Sequence, residues 1–363
     1  MRDGTLHRWE LVALASAAAI VVAVPLSFVR PRAGAATTGE AAAPTFVGSA
    51  VCRDCHATAY DKWKGSDHER AMDVATAQTV LGDFNDATFT HRGKTSRFYR
   101  RDGKFLVETE GPDGKPGEFE ITYVFGIRPL QQYLVPFPGG RLQCLTVAWD
   151  TEQKRWFHLY PDQDIPASDW LHWTRNAQNW NGMCAECHST NLRKGYDAEK
   201  ETFDTTWSEI SVGCEACHGP GSRHVAWARV PPMARSSLEH DGLVVPTSGI
   251  TSAQLVEVCA PCHSRRAELG DYDHTSRLLL DHQVPSLLTE GLYEADGQQL
   301  DEVYTYASFL QSKMYARDVR CSDCHDSHSG KLLRQGNDLC LQCHQREVYD
   351  TPDHHFHKKV VDG

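Results

Sequence analysis

Cys214-Glu215-Ala216-Cys217-His218-Gly219-Pro220-Gly221-Ser222-Arg223-His224 is the stretch that decides how this chain is built. Two thiols three residues apart can form thioethers with the two vinyl groups of one porphyrin. The imidazole of the next residue then falls beneath the iron. The same Cys-x-x-Cys-His spacing recurs at Cys52/Cys55/His56, Cys184/Cys187/His188, Cys259/Cys262/His263, Cys321/Cys324/His325 and Cys340/Cys343/His344. Six copies together take twelve of the thirteen cysteines.

Two other chemistries use closely spaced cysteines. Structural zinc needs two such pairs, or one pair with two histidines, and has no use for a histidine after every second cysteine. A disulfide framework suits an exported chain, yet three-residue spacing belongs to redox-active bonds more than to structural ones. The set therefore reads as six covalently bound haem c groups, with His56, His188, His218, His263, His325 and His344 as proximal iron ligands. On this reading the chain is a multihaem cytochrome.

Its 363 residues, 40% of them hydrophobic, can hold one large or two modest domains. About 320 residues follow the N-terminal segment, roughly 53 per haem, too few to wrap a separate core around each. The porphyrins are expected to be core themselves, stacked through the molecule and sharing walls. A net charge of -11 without any basic run excludes nucleic acid as a partner. It favours a basic redox partner.

Leu11 to Val29 is an apolar run broken only by Ser16, Pro25 and Ser27, with Arg2 and Arg8 before it and Arg30 and Arg32 after. Nineteen residues just reach the length of a transmembrane helix and exceed the usual signal-peptide core. Residues 1–32 are expected to be an uncleaved membrane anchor in preference to a removed signal, although Ala33-Gly34-Ala35 is a possible cleavage site. Residues 33–45 read as a flexible linker. Either way the haem-bearing part lies outside the cytoplasm, on the periplasmic or cell-surface side, because haem is attached after export.

The spacing of the motifs then divides the rest. Residues 46–80 form a first haem unit of helical character, with Cys52 to Trp63 and Asp67 to Ala77 as its helices. Residues 81–165 change period: Thr95–Arg100, Lys104–Glu110, Glu118–Phe125, Leu142–Trp149 and Arg155–Tyr160 are β-branched or aromatic runs between turns. They predict an inserted antiparallel β-meander of about five strands, with Cys144 as a small buried hydrophobe. Residues 166–363 carry the other five motifs on short helices and loops. The fold class is α+β, with short helices and loops wrapped around stacked haems.

Six low-spin haems need six distal ligands. Thirteen further histidines and four methionines besides Met1 are available. A second imidazole keeps the site closed and the potential low, so histidine is favoured. His328 is too near His325 to cap the same haem but is placed to cap a neighbour. His224, after the Gly219-Pro220-Gly221 turn, follows the same logic. His68 and the cluster His354, His355 and His357 are further candidates, then His91 and His282. His158 and His172 read as packing or hydrogen-bonding residues.

Val47-Gly48-Ser49 leading into Cys52, then Trp63 and Ser66-Asp67-His68, resembles the first haem unit of periplasmic multihaem cytochromes related to the tetrahaem electron carriers of nitrification. Cys217-His218-Gly219-Pro220-Gly221-Ser222-Arg223-His224 is similar to the same group, and Cys321 through His328 to His344 resembles a doubled Cys-x-x-Cys-His module. The resemblance implies that His224 and His328 cap neighbouring haems. The β segment, with Phe89-Thr90-His91 and Trp156-Phe157-His158-Leu159-Tyr160, resembles a subgroup whose members often continue into tetratricopeptide repeats.

Electron transfer is the expected function. An anchored six-haem carrier would take electrons from a redox partner protein or a quinol-linked donor and pass them on. The alternative is a multihaem oxidoreductase acting on a small nitrogen or sulfur compound at one open haem, for which His158, His172 and Arg175 are the pocket candidates.

Overall fold

Arg92-Gly93 and Asp102-Gly103 are two-residue turns with both residues at positive φ, the backbone that closes a tight hairpin. They join strands β2 (Ala87–His91), β3 (Lys94–Arg101) and β4 (Lys104–Glu110) into consecutive antiparallel hairpins. Strand β5 (Pro116–Ile121) completes a four-stranded sheet in the order β2-β3-β4-β5. The computed structural model describes residues 43–273, 278–301 and 304–355. The N-terminal segment expected as an anchor and His357 lie outside the described residues, as does the side chain of His355.

A second antiparallel sheet is built from β1 (Met72–Val74), β6 (Tyr123–Phe125), β7 (Leu130–Phe137), β8 (Arg141–Cys144), β9 (Val147–Asp150) and β10 (Arg155–His158). Its order is β1-β6-β7-β9-β10, with β8 on β7. The single meander expected from the sequence is thus two sheets. The run Glu118–Phe125 breaks at Thr122, whose N–H donates to Leu134 O (3.0 Å) while its carbonyl accepts from Ala75 (2.9 Å), and the chain there passes from one sheet to the other. Leu142–Trp149 breaks likewise at Leu145, which donates to Tyr133 O (3.0 Å). Periodicity marks a strand but not the sheet it joins.

The segment Asp67–Ala77, expected to be helical, instead supplies the edge strand β1, with Met72 opposite Phe125. One turn forms where Ser66 Oγ accepts from Glu69 N (3.2 Å), and then Met72 is drawn into the core. At Gly126 (φ +77°) a Cβ would stand 2.7 Å from Leu130 O, so this turn into β7 demands glycine.

The larger core is built mainly from strand residues, with Val80, Phe84 and Trp173 added from the connecting segments. Val80, Phe84, Phe98, Phe105, Val107, Ile121, Tyr133, Trp149, Trp156 and Trp173 fill the space between the sheets. Phe98 lies flat on Trp156, ring centres 3.6 Å apart. A smaller cluster, Met72, Phe125, Leu134, Cys144, Trp180, Ala185 and Leu192, sits where the second motif packs on the six-stranded sheet. Cys144 is the small buried hydrophobe expected of it, and burial pushes its thiol well up.

Beyond residue 213 regular structure is short. The longest element described there is the helix Ser252–His263, opened by a capping box in which Thr251 Oγ1 accepts from Gln254 N (3.2 Å) and Gln254 Oε1 accepts from Thr251 N (2.9 Å). Exposed large apolar side chains concentrate from Leu269 to Tyr349. The α+β class holds, with its two halves built on different principles.

Candidate haem-binding sites

An extended segment crosses the third motif and fixes the first one on it. Glu215 is 2% exposed. Its carboxylate accepts from the backbone N–H groups of Val47 (2.9 Å), Gly48 (2.8 Å) and Gly221 (2.7 Å). Glu209 takes the N–H (3.1 Å) and hydroxyl (2.8 Å) of Ser49, whose Oγ accepts from Cys214 N (2.8 Å). Carboxylates can be buried this way because each oxygen meets a donor. The helix Ser49–Trp63, which breaks at His56 (φ -119°, ψ 42°), is thereby seated so that the thiols of Cys52 and Cys214 lie within hydrogen-bonding reach. Trp63 Nε1 closes the contact on Val212 O (2.9 Å).

Other motifs meet in the same manner. Thiols of Cys187 and Cys262, and of Cys259 and Cys321, pair across motifs two and four and motifs four and five. Arg266 and Glu186 form a buried ion pair (2.8 Å) beside Cys187. Lys62 on the first helix donates to Asp326 after the fifth motif (2.5 Å). No disulfide joins any described cysteine.

Histidines far apart in sequence stand opposite one another. His56 and His224 have ring centres 6.1 Å apart, His68 and His263 6.3 Å, and His218 and His328 6.5 Å. Metal–imidazole bonds of about 2.0–2.1 Å on both sides of one iron hold ring centres roughly 6 Å apart. In each pair one member is a motif histidine. Its opposite number, His224, His68 or His328, is a candidate singled out in the sequence.

The outer nitrogens are wired as iron ligands require. His188 Nδ1 donates to Ala71 O (2.8 Å) and His224 Nδ1 to Asp241 O (3.0 Å). His68 donates to the backbone of Ser327. A carbonyl only accepts, so the proton of the neutral ring is held on Nδ1 and the lone pair of Nε2 is left for a metal. Burial lowers the pKa of His68, His188 and His263, and takes His218 to about 4 with help from His328, His56 and His224. Neutral imidazole is the form that binds iron.

Space and donors thus fit haem at these motifs. A cavity of about 420 Å³ opens over Cys55, His56, Ala59, Lys62 and His328. His188 packs edge-on against Phe125 (5.1 Å). The ring of His282 lies 5.4 Å from Tyr272, and its buried Nε2 has no hydrogen-bond partner among the described residues. At the sixth motif Cys340 and Cys343 are exposed, and His344 contacts Tyr349 (4.5 Å), which in turn contacts His354 (4.8 Å).

His91 needs a correction. It stacks flat on His158 with ring centres 4.2 Å apart and 11° between planes, too close for an iron between them. Its cavity, between the sheets, is lined also by Lys94, Glu110 and His172, and by no residue of any haem motif. His158 and His172, the candidates for an open-haem pocket, therefore do converge, but on this cavity. Arg175 is spent on the carbonyls of Ala167 (2.7 Å) and Pro112 (3.2 Å).

Sequence reasoning passed over Glu215 and Glu209. Glu215 occupies a spacer position of a motif, where any residue is allowed, so nothing in the pattern marks it as buried. The signal available was the run Val47-Gly48-Ser49, small residues whose backbone N–H groups a carboxylate can reach.

The family described as cytochrome c554 and c-prime matches residues 51–92 and 151–219. The doubled CXXCH motif matches residues 314–348. The fold is similar to that of the outer cell wall cytochrome OcwA, with a TM-score of 0.55 and 17% identity over 83% of this chain and 68% of that one. An undecahaem cytochrome from the S-layer of Carboxydothermus ferrireducens aligns with 84% of this chain at 19% identity and a TM-score of 0.41, and the chain spans 43% of its length. No curated protein matches the chain in sequence.

Proposed function

We propose that this chain is a multihaem c-type cytochrome working in electron transfer, a six-haem carrier acting outside the cytoplasm; the family models that match residues 51–92, 151–219 and 314–348 support that reading. The attachment residues are the twelve motif cysteines, with the six motif histidines as proximal ligands. His224, His68 and His328 serve as distal ligands opposite His56, His263 and His218. His282, with its orphaned buried Nε2, and His355 are assigned to two of the three remaining irons. When bound, haem supplies a reversible one-electron iron couple.

What the chain itself does is close, orient and connect. Where imidazoles pair, they would hold the iron between them and keep small molecules off it. The carbonyls of Ala71 and Asp241 fix the rings by holding Nδ1–H. Cross-motif contacts through Glu215, Arg266 and Lys62 hold neighbouring attachment points together. The run Leu11 to Val29 is assigned as an N-terminal anchor to the inner membrane; none of the described helices is long and apolar enough to cross one. OcwA is described as an outer cell wall protein, which supports an extracytoplasmic site for this chain as well. Its acidic surface suits a basic redox protein or a quinol-linked donor complex as partner.

The carrying observation is the set of three imidazole pairs at 6.1–6.5 Å, each joining a motif to a distant histidine. Intact mass of exported protein tests the count: six haems added to the apoprotein are expected, and fewer would reject it. Rapid carbon monoxide binding by a reduced haem would mark an open iron and favour the oxidoreductase instead.

A further inference from the structure

The cavity between the two sheets holds more polar chemistry than packing explains. The Arg92-Gly93 turn sets His91 and Lys94 directly opposite each other in the β2–β3 hairpin, so both side chains enter from one face. His158 arrives from β10, Glu110 from the end of β4, and His172 from the loop beyond. Lys94 Nζ donates to Glu110 (3.1 Å) and to Ile165 O (2.9 Å), and its side chain stays 40% exposed, leaving an entrance. Glu110 stands 3.6 Å from His172 Nε2.

The imidazoles here are wired in the opposite sense to the haem ligands. His158 Nδ1 accepts from the backbone N–H of Tyr160 (3.0 Å). His172 Nδ1 accepts from Thr174 N (3.4 Å) and lies 2.9 Å from its hydroxyl. A nitrogen that accepts an N–H carries no proton, so each neutral ring keeps its hydrogen on Nε2. That arrangement blocks metal ligation through Nε2, which needs Nδ1–H held by an acceptor. It presents donors instead. The Nε2 of His91 is buried with no hydrogen-bond partner among the described residues, which leaves one further polar group to satisfy.

We propose that this cavity binds one small inorganic oxyanion, held by the Nε2–H groups of His158 and His172 and by the ammonium of Lys94. Its volume of about 50 Å³ takes roughly three or four water-sized groups, which fits a nitrate- or sulfate-sized ion. Glu110 already balances Lys94, so the ion is held by hydrogen bonds from the neutral Nε2–H groups beside that paired ammonium. His158 faces His91, Lys94, His172 and Tyr160, and His172 faces Glu110, Lys94, Arg175 and Asp169. Burial keeps both rings neutral near pH 7, with His158 at about 4.

Calorimetric titration of the oxidised holoprotein with nitrate and with sulfate, against chloride, tests this. One site per chain is expected, with the haem absorption unmoved. Lys94→Met, at the half-exposed entrance, and His158→Phe, which preserves the stack, should each weaken binding at least about tenfold. Thermal melts of both variants confirm that the sheets stay folded. Absence of binding, affinity indifferent to either variant, a shifted haem spectrum, or stoichiometric zinc binding in place of the oxyanion would each overturn the assignment.

Discussion

His224 and His158 are both half-hidden imidazoles on short elements, yet the polypeptide treats them in opposite ways. His224 Nδ1 donates to a carbonyl and its ring stands 6.1 Å from His56. His158 Nδ1 accepts from an N–H and its ring lies 4.2 Å from His91. The first geometry frees a lone pair toward a metal; the second directs a proton into a cavity. The same division runs through the whole molecule. The β region closes its own aromatic core around Phe98 and Trp156, whereas the segments after residue 213 leave apolar side chains exposed. One half is held by side chains and the other is organised to hold porphyrin.

Breaking the β half should cost most stability while leaving haem ligation alone. Phe98 is fully buried against Phe84 and Trp156. Phe98→Ala is expected to destabilise that region by about 3–5 kcal/mol, measured by chemical denaturation followed through tryptophan fluorescence. Haem spin state should not change; a new high-spin signal would show that the two halves are not separable as described.

Glu215→Ala addresses the other half. It removes the one buried carboxylate shared by three backbone donors; a bond to a charged group is worth about 1.5–3 kcal/mol, and because bonds to one group do not add, a loss of about 3 kcal/mol is expected. The effect should fall on the haems of motifs one and three. Uniform change across all the haem potentials in a redox titration would contradict that placement.

The smallest expected effect lies at Lys62 and Asp326. Hydrogen bonding from Lys62 and the backbone of Ser329 draws the Asp326 carboxyl down to about 2. A depressed carboxylate stabilises the fold above its ordinary value near 3.8, and that contribution fades as pH falls toward 2. Because the pair is largely exposed, Lys62→Ala should cost only about 0.5 kcal/mol at neutral pH. Acid titration of the melting temperature should show the difference from wild type closing across that window, and a gap that persists below it would reject the pair as the cause.

Much of this was legible in the sequence, for identifiable reasons. Haem attachment is a local chemical pattern, so all six motifs could be read directly. His68, His224 and His328 could be nominated because each sits a short step from a motif on a turn or helix start, and each stands opposite a motif histidine in the structure. Strand positions were visible as alternation, but the break at Thr122 that sends β6 into a second sheet was not, since both sheets demand the same period. His91 was misread for a related reason. Nothing in Phe89-Thr90-His91 reveals that the hairpin turn points the ring at His158, because that contact is set by β10, more than sixty residues on. The buried glutamates were equally hidden, as their burial depends on backbone donors from another segment.

The spin state of the oxidised holoprotein tests the central claim most directly. Electron paramagnetic resonance of His224→Ala and of His328→Ala should each show one new high-spin haem, while His91→Ala and His158→Ala show none. High-spin signal from either of the latter pair, or unchanged low-spin spectra from both of the former, would contradict the assignment of imidazoles to iron and to the cavity.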